Sequence, residues 1–145
     1  VVRRGRELIN GRAKGHAFER ELIKKFQDEF GSCANHLKRN LDQYQTCGKA
    51  DIEFHNLMIE AKRYATGHWY KPEWWEQAKT SAGDDYIPVL IYKYDRQPIR
   101  MVFPLRTFKE YSFKPVETVT VDWETGILLM RELLEVPNEA CKVQC

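Results

Sequence analysis

No stretch of the 145-residue chain approaches the ~20 consecutive apolar residues that a membrane helix needs. The longest apolar stretches, Ile87 to Tyr92 and Ile127 to Met130, fall far short, so no membrane partner is expected. Cysteine is scarce: Cys33, Cys47, Cys141 and Cys145 are irregularly spaced and form no CxxC pair. That excludes a disulfide scaffold and a zinc knuckle, and the four are expected to be reduced thiols. The histidines His16, His36, His55 and His68 make no HxH or HxxxH pattern, which speaks against a zinc site. Gly48-Lys49 lacks the leading glycines of a phosphate-binding loop, so no nucleoside triphosphate is expected. The start of the chain is rich in arginine and has no apolar core of a signal peptide. The expectation is an intracellular protein.

What is present suits one compact soluble domain: 43% hydrophobic and 30% charged residues, with no repeat or low-complexity tract. The net charge of +2 is small but unevenly spread. Residues 1–25 carry eight basic against three acidic side chains, and residues 110–145 carry three against seven. The basic end suggests an anionic partner.

Apolar residues Phe18, Leu22, Ile23, Phe26 and Phe30 recur at helical spacing, predicting a helix from about Gly15 to Phe30 that Gly31 stops. Glu19 lies at the edge of that stripe. A short strand around Cys33 to Lys38 is expected next, then a polar loop from Arg39 to Lys49. Ala50 to Ala61 reads as a hairpin turning at His55 and Asn56, with Ile52, Phe54, Leu57, Ile59 and Ala61 on one face. Pro72 opens a second helix carrying Trp74, Trp75 and Ala78, which ends near Gly83. Strands are expected over Tyr86 to Tyr92, Ile99 to Phe103 and Val116 to Val121, and a short helix over Ile127 to Leu134.

The hairpin carries the chemistry. With a two-residue turn Phe54 pairs with Leu57 and Ile52 with Ile59, so Asp51 stands opposite Glu60. Strand alternation then puts Asp51, Glu60 and Lys62 on the face opposite the apolar set. Two facing carboxylates repel and require a cation. Hard, oxygen-preferring Mg²⁺ is held by one or two carboxylates, with water and substrate phosphate filling the other positions. Lys62 would sit beside the ion, able to orient the attacking water and to stabilise charge developing on a phosphate. Glu19 is placed to approach the same face.

These residues resemble nucleases of the PD-(D/E)xK class, and within it the archaeal and phage Holliday junction resolvases. The likeness covers Gly11 to Leu105 and rests on Gly15-His-Ala-Phe-Glu19-Arg-Glu-Leu, Gly48-Lys-Ala-Asp51-Ile and Ile59-Glu60-Ala-Lys62. Ala50 stands where the class motif has proline. The resemblance implies catalytic roles for Glu19, Asp51, Glu60 and Lys62, with Asp51, Glu60 and Glu19 as metal ligands and Gln77 of Trp74-Trp-Glu-Gln77-Ala as a further site residue toward DNA. It also implies an α/β fold: a central mixed β-sheet flanked by helices, a restriction-endonuclease-like core.

The organisation expected is a basic arm at 1–10, a nuclease core at 11–105, and an appendage at 106–145 that packs on the core or on a dimer partner. The function expected is Mg²⁺-dependent, or Mn²⁺-dependent, cleavage of branched DNA. Paired cuts across a two-fold junction call for a homodimer. Arg12, Lys14, Arg39, Lys49 and Arg63 would contact phosphates. Trp69 and Tyr70, beside Lys71, are candidates for DNA contact, and Trp74 and Trp75 for the core or a dimer interface. Another repair or flap nuclease on the same core, or a non-catalytic DNA-binding subunit, is the alternative. The setting expected is the cytoplasm or nucleoid of a prokaryotic or virus-infected cell.

Overall fold

Alternation along residues 52–61 dictates which way the hairpin faces, and the rest of the sheet is built outward from it. The computed structural model describes residues 2–38, 50–108 and 117–136. Helix α1 spans Val2–Phe30. Strands β1 (Ile52–Phe54) and β2 (Leu57–Tyr64) form the hairpin, and α2 (Pro72–Ala82) leads to β3 (Ile87–Tyr94). Strands β4 (Arg100–Pro104) and β5 (Thr118–Asp122) follow, then α3 (Trp123–Leu133). The five strands form one mixed sheet in the order β1-β2-β3-β4-β5. Only β2 and β3 run parallel, joined by the α2 crossover.

The two faces of the sheet are covered by different helices. On one, Phe18, Leu22, Phe26 and Phe30 of α1 and Ile127 and Met130 of α3 pack on Ile52, Phe54, Ile59, Ile91, Met101 and Phe103. On the other, Trp74, Trp75 and Ala78 of α2 pack on Leu90, Tyr92, Tyr94 and Val102. Strand β3 is therefore buried on both faces, as its continuous run of apolar and aromatic residues requires. The architecture is the α/β one expected, with a central mixed sheet flanked by helices.

Helix α1 begins at Val2 rather than near Gly15. Residues 2–10, the expected basic arm, have helical backbone. Helix formers without proline extend the helix beyond the apolar stripe, and a search for apolar periodicity misses such an extension. Gly31 ends the helix in the left-handed region at φ 61°. In place of the expected strand at 33–38, Gly31–Ala34 is a 3-10 turn that buries Cys33 and Ala34. The turn buries them through local hydrogen bonds, with Asn35 N–H donating to Ser32 O and Leu37 N–H to Ala34 O. Cys33 is disulfide-bonded, which corrects the reading of that residue as a reduced thiol, and Cys47, Cys141 and Cys145 lie outside the described residues. Sequence spacing carries no information about which thiols fold together.

Of the segment 106–145, residues 117–136 pack on the core. Strand β5 pairs with β4 from Pro104↔Thr118 to Arg100↔Asp122. Asp122 caps α3 by accepting from Thr125 N–H at 2.8 Å. Gly126 lets α3 lie close to β4, because a Cβ there would meet the Met101 side chain. Asn56 in the hairpin turn holds the other end of α3: its Nδ2 donates to Leu133 O at 2.8 Å and its Oδ1 accepts from Glu135 N–H at 2.8 Å. Trp74 and Trp75 are buried within this chain, which settles them as core. Among the described residues no helix is long and apolar enough to cross a membrane.

Candidate active site

The turn at His55 and Asn56 fixes the hairpin register as Phe54↔Leu57, Glu53↔Met58 and Ile52↔Ile59. Asp51, one residue outside that ladder, is thereby opposite Glu60. Its Oδ2 accepts from the Ala61 backbone N–H at 2.8 Å. Glu60 lies mid-strand, paired with Leu90, on the face that α2 covers, and Lys62 follows two residues on, paired with Tyr92.

Helix α2 supplies the connection between them. Gln77 Nε2 donates to Glu60 Oε1 at 2.9 Å, and Gln77 Oε1 accepts from Lys62 Nζ at 2.8 Å. A single amide thus fixes a carboxylate and an ammonium two residues apart on one strand. Sequence reasoning assigned Gln77 to DNA contact; the structure puts it between the two charged groups.

Three carboxylates are buried here. Glu60 is 2% exposed, Glu19 of α1 5% and Asp51 6%. Burial pushes the carboxyls of Asp51 and Glu60 well above the ordinary carboxylate range, and the charge of Glu19 adds to the shift on both. The nearby charge of Asp51 pushes Glu60 further in the same direction. The Ala61 N–H and the Lys62 ammonium oppose the shift at Asp51, and Lys62 opposes it at Glu60. Below its raised range the pair holds a proton that separate surface carboxylates would have released.

The donor set fits a hard divalent cation. Glu60 Oε2 is a buried oxygen with no hydrogen-bond partner among the described residues. Such an atom carries a desolvation cost unless something positive meets it. Among the described residues no three acidic, histidine or cysteine side chains close into a ready chelate. Asp51 and Glu60 could serve as donors, within the one or two carboxylates that Mg²⁺ takes from a protein.

The basic residues expected at DNA divide into two groups. Lys14 and Arg63 converge on Asp95 in the turn after β3, at 3.1 Å and 2.6 Å. These two cations hold the Asp95 carboxyl below its ordinary range. Arg39 and Lys49 lie outside the described residues, as does the side chain of Arg12. Sequence reasoning missed Tyr64, which occupies the same strand face as Glu60 and Lys62 and is 45% exposed. The two-residue strand period that found Lys62 also points to Tyr64. Tyr70, by contrast, is half-buried, edge-on to Tyr92, with its hydroxyl 2.8 Å from Thr118 Oγ1.

Residues 10–133 match the family described as phage putative PDDEXK endonuclease. The chain belongs to that family. The match runs through β5 and α3, beyond the Leu105 limit of the expected resemblance. Neither a curated protein nor a solved structure matches the chain. The family supports nuclease activity and a DNA substrate, and divalent metals are typical of PD-(D/E)xK nucleases.

Proposed function

We propose that the protein is a metal-dependent endonuclease that hydrolyses DNA phosphodiesters at branched structures, in the manner of a Holliday junction resolvase. The observation that carries this reading is the link Glu60–Gln77–Lys62, a buried carboxylate and an ammonium held on one strand face by one amide, with the buried Asp51 carboxylate opposite Glu60 and held by the Ala61 N–H. Asp51 and Glu60 would hold Mg²⁺, or Mn²⁺ in its place, and the bound ion would supply positive charge to the phosphate and lower the pKa of water. Glu19 reinforces the negative potential that draws the cation in.

Lys62 has three N–H donors and spends one on Gln77, leaving two for the attacking water and a non-bridging phosphate oxygen. That arrangement orients the water and stabilises negative charge as the new P–O bond forms. The attacking water gives up a proton to solvent, the opposite P–O bond breaks, and its oxygen leaves with a proton from solvent. Gln77 acts as a positioning residue, because it sets where the Lys62 ammonium points. Lys14 and Arg63, with Arg12, Arg39 and Lys49, supply phosphate contacts without sequence readout. A homodimer would present two such sites to the two strands of a junction. The phage family favours a virus-infected cell as the setting.

The test is a substrate panel: labelled four-way junction, flap, single-stranded and linear duplex DNA, each with Mg²⁺ or with EDTA. Paired Mg²⁺-dependent cuts in the junction are the expected result. Preference for the flap would reassign the substrate, and failure to cut any of them would overturn the nuclease reading.

A further inference from the structure

The face that carries Glu60 and Lys62 continues one step further along β2, about 7 Å away, to an aromatic ring. Tyr64 is stacked on Trp74 at 5.0 Å between centroids and 12° between planes. Trp74 is buried, so the stack has an inner and an outer side, and Tyr64 is the outer member. Lys71 Nζ is 5.8 Å from the Tyr64 centroid and 5.9 Å from that of Trp74. An ammonium over the outer face of Tyr64 would be much farther from Trp74 than from Tyr64. Near-equal distances put it beside the stack, and neither Trp74 nor Lys71 covers the outer face of Tyr64.

The surroundings hold the ring in place. Gly67 lies against Tyr94 so closely that a Cβ there would overlap the ring, and Tyr94 Oη donates to Trp69 O at 2.6 Å. These contacts pin the loop after β2, from which Trp69 projects 48% exposed. The Asp95 backbone N–H donates to Tyr64 O, which anchors the end of β2. A 45% exposed aromatic ring beside the Lys71 ammonium, one strand step beyond Lys62, matches a nucleotide in both charge and shape.

We propose that the outer face of Tyr64 stacks on an unpaired nucleobase of the DNA, next to the phosphate handled at Asp51, Glu60 and Lys62. The inference rests on the nuclease reading above and specifies its substrate. In a continuous duplex every base face is covered by its neighbours, so only an unpaired or splayed base can meet Tyr64. Buried Trp74 holds the ring in place, so little ordering cost falls on binding. Lys71 at the side of the stack adds attraction to the adjoining phosphate. The site thereby prefers cuts beside bulges, gaps and branch points.

The test uses the full chain and a DNA duplex with a single 2-aminopurine, either paired or in a one-nucleotide bulge. In EDTA, where no cutting occurs, the wild type should quench the unpaired probe more than the paired one. Tyr64→Phe should retain the quenching, and Tyr64→Leu, which still covers Trp74 but offers no aromatic face, should lose it. With Mg²⁺, the ratio of cutting beside unpaired to paired positions should fall about tenfold in Tyr64→Leu and hold in Tyr64→Phe. Equal quenching by wild type and Tyr64→Leu, or no preference of the wild type for the unpaired probe, would overturn the proposal. Asp51-dependent cutting with Tyr64-independent quenching would sink the stacking and leave the nuclease reading intact. Absence of all cutting would sink the nuclease reading, and the quenching in EDTA would still decide the stacking.

Discussion

The two faces of β2 solve opposite problems. Toward α1 and α3, Leu57, Ile59 and Ala61 join a dry layer of Phe18, Phe26, Phe30 and Phe54, whose contribution is apolar burial. Toward α2, the same strand presents Met58, Glu60, Lys62 and Tyr64, and Glu60 is as deeply buried as its apolar neighbours. Burying a carboxylate costs free energy that no apolar contact returns, and leaving Glu60 Oε2 without a described partner adds to that cost. A strand with stability on one face and strain on the other fits a scaffold holding a polar site ready for a cation.

The largest effect should come from the strained face. Asp51→Asn and Glu60→Gln should each lower the cleavage rate by about 10²–10⁴-fold, with junction binding retained in a gel-shift assay. Loss of binding together with cutting would place these carboxylates in folding rather than chemistry. The opposite face should answer in stability alone. Phe54→Ala should cost about 3–5 kcal/mol and Ile59→Ala about 2–5 kcal/mol in denaturant unfolding, with the rate per folded molecule unchanged.

A smaller effect is expected at Gln77. Gln77→Met removes both hydrogen bonds while filling similar volume, and should lower kcat about tenfold with KM little changed, as expected for a group that only positions Lys62. An equal loss in KM would mean that Gln77 contacts DNA itself. A further change concerns pH. Folding raises the Asp51 and Glu60 carboxyls above their unfolded range, so the folded, metal-free protein binds more protons than the unfolded chain. Stability should therefore be greatest below the ordinary carboxylate range and fall as pH rises through the raised values. Thermal unfolding in EDTA should show that decline, and Glu60→Gln should flatten it.

The apolar face was legible in the sequence because alternation and helical spacing report burial directly. Ile52, Phe54, Leu57 and Ile59 sit as their parity predicted, and the His55-Asn56 turn followed from the same count. The opposition of Asp51 and Glu60 was legible for that reason too. What escaped depends on contacts between distant segments. Gln77 stands 17 residues from Glu60, and only the docking of α2 brings its amide between Glu60 and Lys62. Lys14 and Arg63 share Asp95 through the turn after β3, which no local pattern announces. The segment after Leu105 looked separable because a long stretch divides β4 from β5, yet β5 pairs with β4 over five residues. Local propensity reads elements; their partners are chosen by tertiary packing.

Calorimetric titration of the metal-free protein with Mn²⁺ near neutral pH, in two buffers of different ionisation enthalpy, tests the central claim most directly. If Asp51 and Glu60 hold the cation, the wild type should bind it and release protons as the raised carboxyls ionise, and Asp51→Asn and Glu60→Gln should lose both signals. Binding of equal strength in the wild type and both variants would contradict the account.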